Sequence, residues 1–234
     1  MKVEIWSDIV CPFCYIGKRH FEKALENFAH KDKIDIIWHS FQLDPEGQPV
    51  PGQSVYEYLA KRKNVSLKES RDMHNYMADM ARKAGLEYNF EKAVPNNTMN
   101  GHRLSHLALE KGVQNEVEEK LFHAYYTEGK NLNEPETLVQ IGEDAGLKAD
   151  EIRQMLQSDK FKDAVRADQQ EAQQLGVRGV PFFVFNRKYA VSGAQPPEVF
   201  LETLQRAWQE FEKENSTPKF DITGGDTCGV DGIC

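Results

Sequence analysis

Four cysteines stand in two close pairs at opposite ends of the chain, Cys11 with Cys14 and Cys228 with Cys234. The first pair forms the run Cys11-Pro12-Phe13-Cys14, whereas five residues separate the second. A C-x-x-C spacing supports two chemistries. As a redox pair, one thiolate attacks a substrate disulfide and the second thiol resolves the mixed disulfide. As half of a zinc site, the same spacing needs two further ligands. The second pair is poorly spaced for that role, its gap being longer than that of a usual zinc knuckle.

The surroundings of the first pair favour redox chemistry. Lys2 to Trp6 alternates polar and apolar residues, as a half-buried strand does, and Ile34 to Leu43 is rich in β-branched and aromatic residues. Between them Phe21, Ala24, Leu25 and Phe28 fall at i, i+3, i+4 and i+7, one face of a helix. Strand, helix, strand at this spacing implies a parallel pair joined by a crossover. A C-x-x-C entering such a unit reads as a redox motif. Pro12 suits the first helical position, since its missing N–H has no intrahelical partner there. Cys11 is then the N-cap residue. Its sulfur is expected to accept hydrogen bonds from the N–H groups of Phe13 and Cys14, and the positive end of the helix favours its thiolate. Cys14, one turn inward, is placed to attack a mixed disulfide at Cys11.

From about Pro51 to Leu175 strand signals nearly vanish. Val117, Leu121, Ala124 and Tyr125 make one apolar helical stripe, and Leu138, Ile141 and Ala145 another. Strand character returns at Pro181 to Asn186 and Lys188 to Val191, close enough for an antiparallel hairpin. Phe200, Leu204, Ala207, Trp208 and Phe211 mark a last amphipathic helix, and the polar, Gly-rich tail beyond it is expected to be poorly ordered. The order βαβ, helices, ββα predicts an α/β thioredoxin-like fold with a large all-helical insertion. The thioredoxin-like parts span 1–50 and 176–214, the insertion 51–175, and the tail with its cysteine pair 215–234.

Four stretches together resemble the DsbA-like thioredoxin family, most closely its FrnE-type branch. They are Ser7-Asp8-Ile9-Val10-Cys11-Pro12-Phe13-Cys14-Tyr15-Ile16-Gly17, Asn97-Thr98 with His102-Arg103, Gly176-Val177-Arg178-Gly179-Val180-Pro181-Phe182-Phe183, and Cys228-Gly229-Val230-Asp231-Gly232-Ile233-Cys234. The resemblance implies a thiol–disulfide oxidoreductase with Cys11 and Cys14 as its catalytic pair. It also implies a cis Pro181 facing Cys11, with the Val180 backbone pairing with substrate as an added strand. For Cys228 and Cys234 the residues alone allow either a small disulfide ring or two unpaired thiols. The family's comparable C-terminal pair implies the disulfide, and with it a second redox pair. Phe13 departs from the histidine that periplasmic DsbA enzymes carry between their cysteines, and a lower reduction potential is the expected result.

Composition narrows the partners. Charged residues make up 28% of the chain and hydrophobic residues 40%, a globular balance that needs no disulfide staples. A net charge of −8 without a basic stripe excludes a general grip on nucleic acid. No apolar run approaches membrane-spanning length. The N-terminus lacks the pattern of a secretory signal, so a cytoplasmic protein is expected. No cofactor or metal is implied. His102 and His106 have the i, i+4 spacing of a zinc helix but lack the adjoining glutamate, and are expected at the surface or lining a pocket. The charges of Lys111 to Lys120 read as a solvated helix face, and Met73, Met77 and Met80 as core.

The expected partners are protein or peptide thiols and disulfides, with glutathione as a candidate. Two other functions fit the same architecture. One is a glutathione-dependent transferase or isomerase of the kappa-class or 2-hydroxychromene-2-carboxylate isomerase type, whose relatives carry a serine at the position of Cys11. The other is a redox-sensitive peptide-binding or chaperone-like module.

Overall fold

The computed structural model describes residues 1–47 and 50–216. β1 (Lys2–Ser7) leads through a short turn into α1 (Pro12–Glu26), and β2 (Asp35–Ser40) follows. Seven helices come next: α2 (Val55–Lys63), α3 (Leu67–Lys83), α4 (Met99–Glu110), α5 (Gln114–His123), α6 (Pro135–Asp144), α7 (Ala149–Gln157) and α8 (Lys162–Gln174). The chain then returns as β3 (Phe182–Phe185), β4 (Tyr189–Ser192) and α9 (Pro197–Ser216).

The strands form one sheet in the order β2-β1-β3-β4. β1 runs parallel to β2, with Ile5 opposite Trp38 and Ser7 opposite Ser40, and antiparallel to β3, with Ile5 opposite Phe183. β1 is thus central and buried on both faces, and five of its six residues are buried. Successive side chains of a strand point to opposite faces. Val3, Ile5 and Trp38 join the main core with Phe21 of α1, Phe122 of α5 and Phe200 of α9. On the other face Trp6 packs with Ala172 of α8, Val177 and Val184.

Local chemistry starts and stops the helices where the sequence provides for it. Ser54 and Ser66 each form a capping box with the glutamate three residues on, at the heads of α2 and α3. Arg103 of α4 is 2% exposed and donates to the carbonyls of Met155, Ser158 and Lys160. These carbonyls sit in the last turn of α7 and just beyond it, so one guanidinium locks the end of α7 to α4.

Some expectations need adjustment. The second strand ends at Ser40, not Leu43. The Phe41 N–H donates to Ser7 O at 2.9 Å and the Leu43 N–H turns to the Asp8 carboxylate at 2.7 Å. The stripe through Ala124 and Tyr125 continues α5 as a π-helical turn, Ala124–Glu128, ended by Gly129 in a left-handed conformation. Met73 is 37% exposed, while Met77 and Met80 pack partly buried against the core. Cys228 and Cys234 lie outside the described residues.

Candidate active site

The chain leaves β1 at Ser7 and turns so that the Cys11 N–H donates to Asp8 O at 3.0 Å. Cys11 is the extended N-cap residue and Pro12 opens α1. The Cys14 N–H donates to Cys11 O at 3.0 Å, which closes the first turn. Both cysteines are free thiols; Cys11 is 4% exposed and Cys14 fully buried. The Val180–Pro181 peptide bond is cis, as the resemblance implied, and the Cys11 Sγ donates to Val180 O at 3.4 Å. Cys11, Cys14, Val180 and Pro181 are therefore brought together from two ends of the described chain. The N-cap expectation needs correction. No backbone N–H of the first turn of α1 donates to the Cys11 sulfur, and the thiol faces the Val180 carbonyl instead.

Gly17 permits this approach of α1 to the proline loop. A Cβ there would stand 2.9 Å from Pro181 Cγ and 3.4 Å from Phe183 Cζ. Burial pushes the Cys14 thiol up, and its hydrogen bond to Cys11 and the charge of Cys11 act in the same direction. Two donors oppose this, the Ser7 hydroxyl and the Asp8 backbone N–H.

The helical segment reaches the motif through aromatic side chains. Tyr88 donates its hydroxyl to Pro12 O at 2.6 Å and stacks on Tyr126 at 4.2 Å between ring centres. Tyr15, directly after Cys14, stacks on Phe122 at 5.0 Å and donates to Glu119 Oε1 at 2.6 Å. Burial pushes the Tyr88 phenol up, and charge on either cysteine adds to that. Burial works to raise the Glu119 carboxyl, but hydrogen bonding from Arg19 and the charge of Lys18 outweigh it and bring it down to about 2. Glu119 thus remains a carboxylate that ties α5 to α1. Asp8, fully buried, accepts from Leu43 N at 2.7 Å and pairs with His102 Nε2 at 3.3 Å.

Residues 2–205 match the family model of the DSBA-like thioredoxin domain. The chain belongs to this family. A probable DsbA oxidoreductase from Streptomyces coelicolor shares 38% identity, with a TM-score of 0.83 over 99% of this chain and 97% of that one. Two further structures share the fold at low identity. One is a 2-hydroxychromene-2-carboxylate isomerase, 17% identical with a TM-score of 0.63 over 92% of this chain and 98% of the isomerase. The other is the cytosolic disulfide reductase DsbM from Pseudomonas aeruginosa with GSH, 14% identical with a TM-score of 0.60 over 92% of this chain and 99% of the reductase. Membership puts the chain among DsbA-like oxidoreductases, and makes its interrupted α/β core the thioredoxin fold with a helical insertion.

Within this DSBA-like chain, His102 is buried and His106 is only partly exposed. His102 is 3% exposed against Asp8, and His106 pairs with Asp168 at 3.0 Å. The face from Lys111 to Lys120 is only partly solvated, since Glu118 is buried and Glu119 binds Lys18 and Arg19. Among the described residues no group of three or more His, Cys, Asp and Glu side chains is arranged to hold a metal ion. No described helix is long and apolar enough to cross a membrane. Ser7, Gly17, Tyr88 and Glu119 become individual contributors only in the folded chain. Ser7 alone carried a usable signal, a hydroxyl at an alternate position otherwise held by Val3 and Ile5.

Proposed function

We propose that this protein is a thiol–disulfide oxidoreductase whose Cys11 exchanges with substrate and whose Cys14 resolves the product. The supporting observation is the Cys11 thiol set against the Val180 carbonyl beside the cis bond to Pro181, with Cys14 sealed one turn behind. The Cys11 thiolate attacks a substrate disulfide, one substrate sulfur leaves as a thiolate that takes up a proton, and Cys11 is joined to the other. Cys14 then loses its proton and attacks Cys11 Sγ. The second substrate thiol is released, two electrons have passed to substrate, and Cys11 and Cys14 are joined. A dithiol, or two monothiols such as glutathione, reverses these steps and regenerates the pair.

The substrates are protein or peptide thiols and disulfides, in a cytoplasmic setting. An extended peptide pairs with the Val180 backbone once the Cys11 thiol releases its carbonyl. Glutathione fits the same site, a reading encouraged by the GSH present with DsbM. Cys228 and Cys234 act as a second redox pair. Truncation after Asp226 should then change the rate at which Cys11 and Cys14 oxidise, and unchanged kinetics would remove them from the cycle.

Insulin reduction is the direct test. Cys11→Ser should abolish it, because a serine hydroxyl is not a sulfur nucleophile at neutral pH, and Cys14→Ala should accumulate mixed disulfides with substrate. Wild-type turnover by Cys11→Ser would falsify the assignment. Glutathione conjugation retained by Cys11→Ser, without disulfide exchange in the wild type, would favour the transferase or isomerase reading.

A further inference from the structure

Cys14 faces a physical obstacle in the cycle proposed above. It must become a thiolate to attack Cys11, yet it has no exposed surface, and a buried charge is costly unless nearby dipoles stabilise it. The groups around its sulfur therefore control the resolving step.

β1 supplies one such group. Its alternation directs Val3, Ile5 and Ser7 to the face covered by α1, where Val3 and Ile5 share a core cluster with Cys11 and Cys14. Ser7 is the polar member of that row. It is 3% exposed, and its Oγ makes no hydrogen bond of good geometry among the described residues. Leaving a buried hydroxyl unsatisfied is unfavourable, and an alanine would fill the row without that cost. The Ser7 hydroxyl and the Asp8 N–H are the two groups that favour charge on the Cys14 sulfur.

We propose that Ser7 is a positioning residue for the resolving step, its hydroxyl donating to the Cys14 thiolate as that thiolate forms, alongside the Asp8 N–H. This rests on the exchange cycle proposed above. The hydroxyl is held in reserve while both cysteines are thiols. Once Cys11 is joined to substrate it can no longer carry a charge that would oppose charge on Cys14. Burial is then balanced against the Ser7 and Asp8 donors alone. Cys14 gives its proton to water or to the thiolate released in the first step, its sulfur bonds to Cys11 Sγ, and the substrate sulfur leaves with the electron pair of the broken bond.

The test uses the full-length protein reacted with a peptide disulfide, with each step followed by rapid quenching and mass spectrometry. Peptide mapping identifies the Cys11–Cys14 bond itself. In Ser7→Ala the mixed disulfide should form at the wild-type rate, while closure of Cys11–Cys14 slows about tenfold or more, as expected for loss of a hydrogen bond to a charged group. The pH midpoint of closure should move up by about one unit, because tenfold in an ionisation equilibrium is one unit. Ser7→Thr, which retains the hydroxyl, should restore both. Thermal stability of Ser7→Ala should equal or exceed that of the wild type, a result that separates this role from a structural one. Closure at the wild-type rate and pH midpoint in a folded Ser7→Ala would overturn the inference. Failure of the wild type to form any mixed disulfide would instead overturn the exchange cycle.

Discussion

Phe13 stands between the two cysteines, packs partly buried against the core, and offers the Cys11 sulfur no charge. A histidine there would add a cation when protonated, and a hydrogen bond to a charged group contributes about 1.5–3 kcal/mol. Stabilising the thiolate stabilises the reduced protein, and for a two-electron couple about 1.4 kcal/mol corresponds to about 30 mV. Phe13→His should therefore raise the reduction potential by roughly 30–60 mV, read by equilibration in glutathione buffers. An unchanged potential would show that the side chain at this position does not reach the sulfur. At this scale Cys11 and Cys14 are legible in the sequence because their spacing and the following proline are local features. The direction of the Cys11 thiol was not legible. Its partner, Val180, lies 169 residues away, and only the folded sheet brings it across.

The elements position the pair through close approach, and Gly17 on α1 is the point where that approach is tightest. In Gly17→Ala two effects compete. Alanine favours a helix interior over glycine by about 1 kcal/mol, but overpacking a tight contact costs about 1–3 kcal/mol. The obstructing Pro181 Cγ belongs to a closed ring, so α1 rather than a flexible side chain must give way. A net loss of about 1 kcal/mol in urea denaturation is expected. Insulin reduction should fall more than tenfold, since small misplacements of reacting groups carry large kinetic penalties. Full activity in a stabilised Gly17→Ala would mean that α1 and the proline loop need not touch. The alternation of β1 and the stripe of α9 could be read directly, because each buries a regular face. The end of β2 could not be read, since Asp8 draws the Leu43 N–H out of the strand path. Nor could the burial of Glu118 or the pairing of Glu119, whose charges resemble a solvated face until Lys18 and Arg19 of α1 are set opposite Glu119.

Across the whole molecule, a buried polar cluster holds α8 and α4 to the sheet on the face away from Cys14. Asp168 of α8 accepts from the Ser40 N–H at 2.7 Å, bonds His39 Nδ1 at 2.8 Å and pairs with His106 Nε2 at 3.0 Å. His39 stacks on Trp6 at 4.4 Å and meets Glu4 Oε1 at 3.3 Å, and Glu4 in turn pairs with Arg187. Burial works against charge on both Asp168 and His39. For Asp168, hydrogen bonding from His106, His39 and Ser40 prevails and holds the carboxyl well below its ordinary range. For His39, the hydrogen bond and charge of Asp168, with Glu4, prevail and raise the imidazole. The lowered Asp168 contributes stability that is present above about pH 3.9, the ordinary aspartate value, and is lost as pH falls through its folded value. The raised His39 contributes stability that is fully present below about pH 6.5 and is lost as pH rises through its own folded value. The cluster is therefore strongest between about pH 4 and pH 6.5. The thermal stability of the wild type should fall as pH is raised from 6 to 8, and His39→Asn should show a flatter dependence over that range. Asp168→Asn leaves two histidines without their shared carboxylate, and breaking a buried pair from one side costs about 3 kcal/mol or more. In a chain of this size that is a fall in Tm of roughly 10 °C. A His39→Asn profile parallel to that of the wild type would place the pH dependence outside this cluster.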